Sequence, residues 1–232
     1  EEHRLDPGYL LSIESPDRFP LVVANTVLFG MEESTMPKPY HAFEVAGKTV
    51  GVISVVGDSY RDEVVPPRRE GDDSTPNVDL KNAGESIAQQ LEKLEAGDYG
   101  DKPELLVLLS HAELDESREF ANKFPQFDLI VSAGGPEDPG QNGELVGDSK
   151  TLIVTVGHKG KSMGVVGYYP DADPPLKFEL IELDNRRFQD TPAMHEVMRR
   201  YQERLKDEQI VQNMQPVSHE WGATYVGADA CG

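Results

Sequence analysis

The stretch from Leu105 to Val131 constrains the fold more tightly than any other part of the chain. Leu105-Leu106-Val107-Leu108-Leu109 is a wholly apolar run of strand length. Leu114, Phe120, Ala121 and Phe124 then face inward from a helix, and Leu129-Ile130-Val131 is a second apolar run. A strand, a helix and a strand within about 30 residues make a βαβ unit. Its two strands should be parallel neighbours with a right-handed crossover, the hand that lets the helix pack back onto a twisted sheet.

The remaining apolar runs extend that sheet. Leu152-Ile153-Val154-Thr155-Val156, after a Gly-rich loop, reads as a third buried strand. Upstream, Phe43 and Val45 alternate with polar neighbours, Gly47-Lys48 makes a turn, and Val50 to Val56 runs on apolar on both faces. This is a hairpin whose second strand is central in the sheet. Leu21-Val22-Val23-Ala24, between Pro20 and the polar break Asn25-Thr26, reads as a short buried strand. Met163 to Tyr169 and Lys177 to Leu183, joined through Pro170, Pro174 and Pro175, should form an antiparallel hairpin closing the sheet. Leu80, Ala83, Ile87, Leu91 and Leu94 recur at helical spacing, with Asp79 as cap and Gly97 as stop. A last helix is expected from about Thr191 to Gln212, with Pro192 in its first turn and Met194, Val197, Met198, Tyr201 and Leu205 as a packing stripe. Residues 58–77, rich in charge, Pro and Gly, read as a solvated loop. The expected class is α/β, a mixed β-sheet flanked by helices.

Charge narrows the function classes. With 22 Lys+Arg against 42 Asp+Glu the formal charge is −20, and no dense basic run offsets it, so nucleic acid and anionic membrane surfaces are excluded as expected partners. No apolar run approaches the roughly 20 residues of a membrane span. The single cysteine, Cys231, has no internal disulfide partner. The chain opens on Glu1 without Met or a signal-like segment, which leads to the expectation of a processed or excised piece of a longer product.

In open α/β sheets functional groups gather beyond the carboxyl ends of the parallel strands, where loops share one crevice. Four such ends carry candidate residues: Gly57-Asp58-Ser59, Ser110-His111, Gly134-Gly135-Pro136-Glu137-Asp138 and Gly157-His158-Lys159. Imidazole and carboxylate groups converging there suit Zn, Mn or Fe; equally, His and Asp end strands simply for solvation. Asp58 and His158 are crevice candidates, and His111, ending a wholly apolar strand, is the sharpest single residue. Two other patterns fail on context. Gly157 to Ser162 ends like a phosphate-binding loop, but Thr155 stands at the first Gly position and a strand pattern follows where a helix is required. Ser110 and His111, adjacent in a strand, point to opposite faces, so the imidazole cannot activate that hydroxyl.

The order of elements resembles that of bacterial periplasmic nucleotidases, the 5′-nucleotidase branch of the calcineurin-like metallophosphoesterases. The residues carrying the resemblance are Phe19-Pro20-Leu21-Val22-Val23-Ala24-Asn25, Lys38-Pro39-Tyr40, Val50-Gly51-Val52-Ile53, Leu108-Leu109-Ser110-His111, Phe127 to Gly135, and Gly157 to Gly164. The similarity spans roughly Tyr9 to Leu183. It implies a two-metal phosphoester hydrolase in which His111 matches a lone metal-binding His. The departures are specific. Pro136 and Asp138 stand where the family's Gly-His-x-His motif has its histidines; Pro cannot ligate a metal, whereas Asp138 can and Glu137 can substitute. The family's Asp-x-His, Gly-Asp and Asn-His-Asp/Glu motifs lie upstream of the Phe-Pro segment, where this chain has almost nothing. His111, Asp138 and Glu137 are thus the metal candidates implied, and no catalytic residue is assigned.

The tail Tyr225-Val226-Gly227-Ala228-Asp229-Ala230-Cys231-Gly232 resembles the lead-in to a Cys-x-x-Cys-His haem-attachment motif of multihaem c-type cytochromes. Cys231 is a haem-attachment residue only if that motif continues in a longer chain. The resemblance implies a cytochrome domain or other protein as partner and a periplasmic or extracytoplasmic location. The expected division is a partial metallophosphoesterase-like domain over residues 1–184, a C-terminal helix over 185–214 and a linker over 215–232. Two functions follow: a catalytically degenerate module, structural or docking, of a periplasmic cytochrome protein, or an active hydrolase whose other ligands lie outside the chain. A plain binding module for a cationic protein is the third class.

Overall fold

A computed structural model describes residues 20–31, 37–65, 78–147, 150–184, 186–207 and the short strands at 217–218 and 224–225. The chain divides into two units, one ending at Leu183 and one beginning at Asp184.

The first unit is built on a six-stranded sheet of β2 (Tyr40–Val45), β3 (Lys48–Val56), β5 (Leu105–His111), β6 (Leu129–Ser132), β7 (Glu144–Val146) and β8 (Thr151–Val154), ordered β2-β3-β5-β6-β8-β7. The four central strands are parallel and both edge strands antiparallel. Val107↔Leu129 through Ser110↔Ser132 is the parallel pairing that the βαβ pattern requires. The hairpin of β2 and β3 turns at Ala46 and Gly47, both at positive φ. The glycine adopts that conformation without a side-chain penalty.

Two helices pack on one face. α2 (Ala83–Ala96) buries Ala83, Ile87, Leu91 and Leu94, and α3 (Leu114–Lys123) buries Phe120 and Ala121, against Ile53, Val55, Leu106, Leu108, Ile130 and Ile153 of the sheet. On the other face Val107, Leu129, Leu152 and Val154 meet a hairpin of β9 (Ser162–Tyr168) and β10 (Leu176–Glu182) through Leu176, Val166, Tyr168 and Phe178. A single helical turn, α1 (Arg61–Val64), follows β3 through the 3₁₀ turn Asp58–Tyr60. In the second unit, α4 (Pro192–Asp207) and the pair β11 (Val217–Ser218) and β12 (Thr224–Tyr225) are described.

Several sequence expectations change, among them the third parallel strand, which ends at Val154 and not Val156, and the start of the 58–77 loop, which forms the turns at 58–64. Leu21–Ala24 is not a strand: Val22 makes an isolated bridge to Lys38, and the strand β1 is Thr26–Leu28, paired with β4 (Val78–Leu80). The polar break Asn25 is instead fully buried. Leu80 belongs to β4, so α2 begins later and is capped by Asn82, whose side chain accepts the Glu85 N–H at 2.9 Å; Asp79 bonds the N–H of Leu80. The β9–β10 hairpin forms its own two-stranded sheet, because its inner residues lie across the main sheet and not beside an edge strand. The stripe of Met194, Val197, Met198 and Tyr201 on α4 is exposed. Gly97 stops α2 as expected, in the left-handed conformation at φ +83°.

Candidate functional site

The carboxyl ends of β3, β5, β6 and β8 meet at one edge of the sheet, and the register places Val56 opposite His111 and Ser110 opposite Ser132. The loops there are close-packed. A Cβ on Gly57 would collide with the Ala112 methyl and the Glu116 carboxylate, and one on Gly134 would collide with the Ala112 carbonyl oxygen. One on Gly157, at φ +72°, would overlap the Glu137 carbonyl oxygen. Glycine is required at 134 and 157 because a backbone carbonyl stands where a side chain would be, and at 57 because the Ala112 and Glu116 side chains fill that space.

Two groups of side chains result. In the first, Gly57 N–H donates to the His111 carbonyl at 2.8 Å, and the Tyr60 ring lies 5.0 Å from the His111 ring. Glu116, in the first turn of α3, accepts from Asp58 N–H (2.8 Å), Ser59 N–H (3.0 Å) and the Ser59 hydroxyl (2.5 Å). The Ser59 oxygen in turn accepts the Glu113 N–H at 2.9 Å, and Asp58 accepts from Asn82 Nδ2 at 2.7 Å. His111 and Asp58 are thus brought to the same loop cluster. In the second group, Glu137 accepts from Lys161 at 3.2 Å and pairs with Lys159 at 3.5 Å, while Asp138 lies 3.6 Å from Lys161. The hydrogen bond from Lys161 holds the Glu137 carboxyl below the ordinary glutamate range and the ammonium above its own. His158 is exposed in the same loop.

Below the rim, three hydroxyls run in a buried line. Ser117 of α3 lies 2.9 Å from Ser110 of β5 and 2.9 Å from Ser132 of β6. Ser110 therefore faces the helix layer while His111 is exposed, the opposite orientation expected of neighbours in a strand.

The family resemblance implies divalent metal, and the residues present do not fit one. Among the described residues no group of three or more His, Cys, Asp or Glu side chains is placed to hold an ion. Glu137 is charge-paired with two lysines, and Glu116 has three donors on its carboxylate. His111, Glu137 and Asp138 do not form a ligand set. Cys231, with the haem motif it would begin, lies outside the described residues. Among the described residues no helix is long and apolar enough to cross a membrane.

Sequence reasoning misses three residues. Glu116 gives no signal, because its partners Asp58 and Ser59 lie far away in sequence. Ser117 sits unmarked in a polar helix. Asn25 follows an apolar run and precedes another, a buried-amide pattern that reads equally well as a break.

No protein-family model and no curated protein matches the chain. Solved structures do. A 5′-nucleotidase precursor from Thermus thermophilus aligns with a TM-score of 0.66 at 21% identity, over 94% of this chain and 43% of its own. A 5′-nucleotidase from Candida albicans aligns at 0.55 and 14% identity, over 89% and 39%. The NAD nucleotidase of Haemophilus influenzae aligns at 0.52 and 16% identity, over 80% and 41%. The chain shares their fold and spans less than half the length of each.

Proposed function

We propose that this chain is a domain of 5′-nucleotidase fold that does not hydrolyse phosphate esters by itself and acts as a structural or docking module of a periplasmic multihaem cytochrome protein. The observation carrying the reading is the use already made of the strand-end carboxylates. A two-metal centre needs several free anionic and imidazole ligands to activate water and neutralise phosphate. Here Glu137 pairs with Lys161 and Lys159, and Glu116 holds the loop after β3. The cytochrome partner and the extracytoplasmic compartment rest on the likeness of Tyr225 to Gly232 to a haem-attachment lead-in. Manganese and zinc titration of the isolated chain with a nucleotide and a generic phosphodiester should give no turnover. Metal-dependent hydrolysis by this chain would overturn the reading.

One observation favours a second reading, a hydrolase whose remaining ligands lie outside the chain. The Thermus structure is more than twice the length aligned to it, and His111 stands exposed at the end of β5. In a longer form of the protein that shows metal-dependent hydrolysis, His111→Ala should then abolish it; retained activity would reject this second reading.

A further inference from the structure

The sequence carries a single Asn-Gly pair, Asn142-Gly143. It lies in the loop from β6 to β7, immediately before Glu144, the first residue of β7. Asn142 is exposed, and among the described residues no hydrogen bond holds its side-chain amide. The other described asparagines are held. Asn25 is fully buried and bonded to the backbone of Val56 and Lys81. Asn82 caps α2 and donates to Asp58, and Asn122 donates to the Arg118 carbonyl within α3.

The backbone beside Asn142 is equally open. Leu152 N–H donates to the Asp128 carbonyl, so Leu152 and Val154 turn their backbone groups to β6, and Ile153 turns its own to β7. Continuing the register Glu144↔Ile153 sets Gly143 opposite Val154, a pair that exchanges no hydrogen bond. The Gly143 N–H therefore points off the outer edge of the sheet, where β7 is the last strand, and among the described residues no carbonyl accepts it. Packing fixes glycine here: a Cβ would stand 2.7 Å from Leu152 Cδ1 and 3.0 Å from the Ile153 carbonyl oxygen. The same lack of a side chain leaves the Gly143 nitrogen unshielded as a nucleophile.

We propose that Asn142 is a site of spontaneous deamidation, and that the isoaspartate formed there loosens the edge strand β7. Hydroxide removes the Gly143 amide proton, and the nitrogen attacks the Asn142 Cγ. The new N–Cγ bond closes a five-membered succinimide, the Cγ–Nδ2 bond breaks, and Nδ2 leaves as ammonia with a proton from water. Water then opens the ring at either carbonyl, giving aspartate or isoaspartate at this position. In sum water is consumed and ammonia released, with no change of oxidation state. Isoaspartate routes the main chain through the β-carbon, which lengthens it by a methylene. That length enters two residues ahead of Glu144, whose carboxylate ties β7 to the Arg118 guanidinium of α3 at 2.8 Å.

Ageing of the folded 232-residue chain at neutral and mildly alkaline pH tests it, with samples digested by pepsin in acid, where cyclisation is quenched. The peptide containing Asn142 should gain one mass unit, faster at the higher pH. It should also accept methyl groups from S-adenosylmethionine through an isoaspartyl methyltransferase. Peptides containing Asn25, Asn82 and Asn122 should stay unchanged over the same period. Asn142→Gln should abolish the mass gain in that period, because its ring would have six members and closes far more slowly. In the aged chain the Glu144 N–H, bonded to β8, should exchange several-fold faster than in the fresh one. Aged Asn142→Gln should show no such change, nor should fresh Asn142→Asp, which adds the charge without the methylene. Three results overturn the proposal: an unchanged mass at Asn142 in the folded chain, deamidation there no faster than at Asn122, or full Glu144 protection in the isoaspartyl chain.

Discussion

Asn25 sits where β3 ends and where the chain passes from β4 into α2, and its side chain reaches both. Nδ2 donates to the carbonyls of Val56 (2.8 Å) and Lys81 (3.1 Å), and Oδ1 accepts the Val56 N–H at 3.0 Å. The residue is fully buried. Asn25→Ala should therefore strand buried backbone groups and destabilise by about 2–4 kcal/mol, read as a shift of the urea midpoint. Glu137 is the opposite case, an exposed carboxylate whose importance is electrostatic. Because Lys161 and Lys159 depress its folded-state titration, the pairing contributes above the ordinary glutamate range and is lost as pH falls through the depressed value. An NMR titration should place the wild-type side chain below the ordinary midpoint, and Lys161→Met should move it up. Neither role is legible at the level of residue type. An asparagine among apolar residues and a glutamate after proline have many meanings until their partners are known.

At the scale of elements, what the chain states locally survives and what depends on distant partners does not. The run from Leu105 to Leu109 is a strand because only an extended segment buries consecutive apolar residues, here Leu106, Val107 and Leu108, on both faces of a sheet. Gly97 ends α2 because the left-handed turn costs glycine little. The start of α2 departs from the sequence expectation because Asp79 and Asn82 are both good caps; pairing of Leu80 with Thr26 in β1 decides between them. The Ser110–Ser117–Ser132 line joins β5, α3 and β6 in the same way, across elements. Ser117→Ala should leave two buried hydroxyls without their shared partner and cost about 1–2 kcal/mol. The triple Ser→Ala variant should cost less than the sum of the three single variants, since no unpaired hydroxyl remains. Thermal or denaturant unfolding of the four variants checks both statements.

For the whole molecule, the parallel order of β3, β5, β6 and β8 sets where loops converge, and the loops determine what that edge can bind. Because Glu116 and Glu137 are engaged within the fold, added Mn or Zn at concentrations that saturate an ordinary metalloenzyme should leave the Tm of this chain unchanged; a rise of several degrees would show a bound ion. The sequence by itself determined the α/β class, the βαβ unit, the central strands and the residues delivered to the strand ends. Apolar runs and their periods report burial directly, and topology rules then leave few arrangements. Only the tertiary structure decided that His111 and Asp58 share one loop cluster while Glu137 and Asp138 meet lysines. It also decided that Asn25 is buried, and that β9 and β10 lie across a face of the main sheet. Those outcomes depend on which side chains from remote segments arrive at the same point, and one-dimensional spacing carries no record of that.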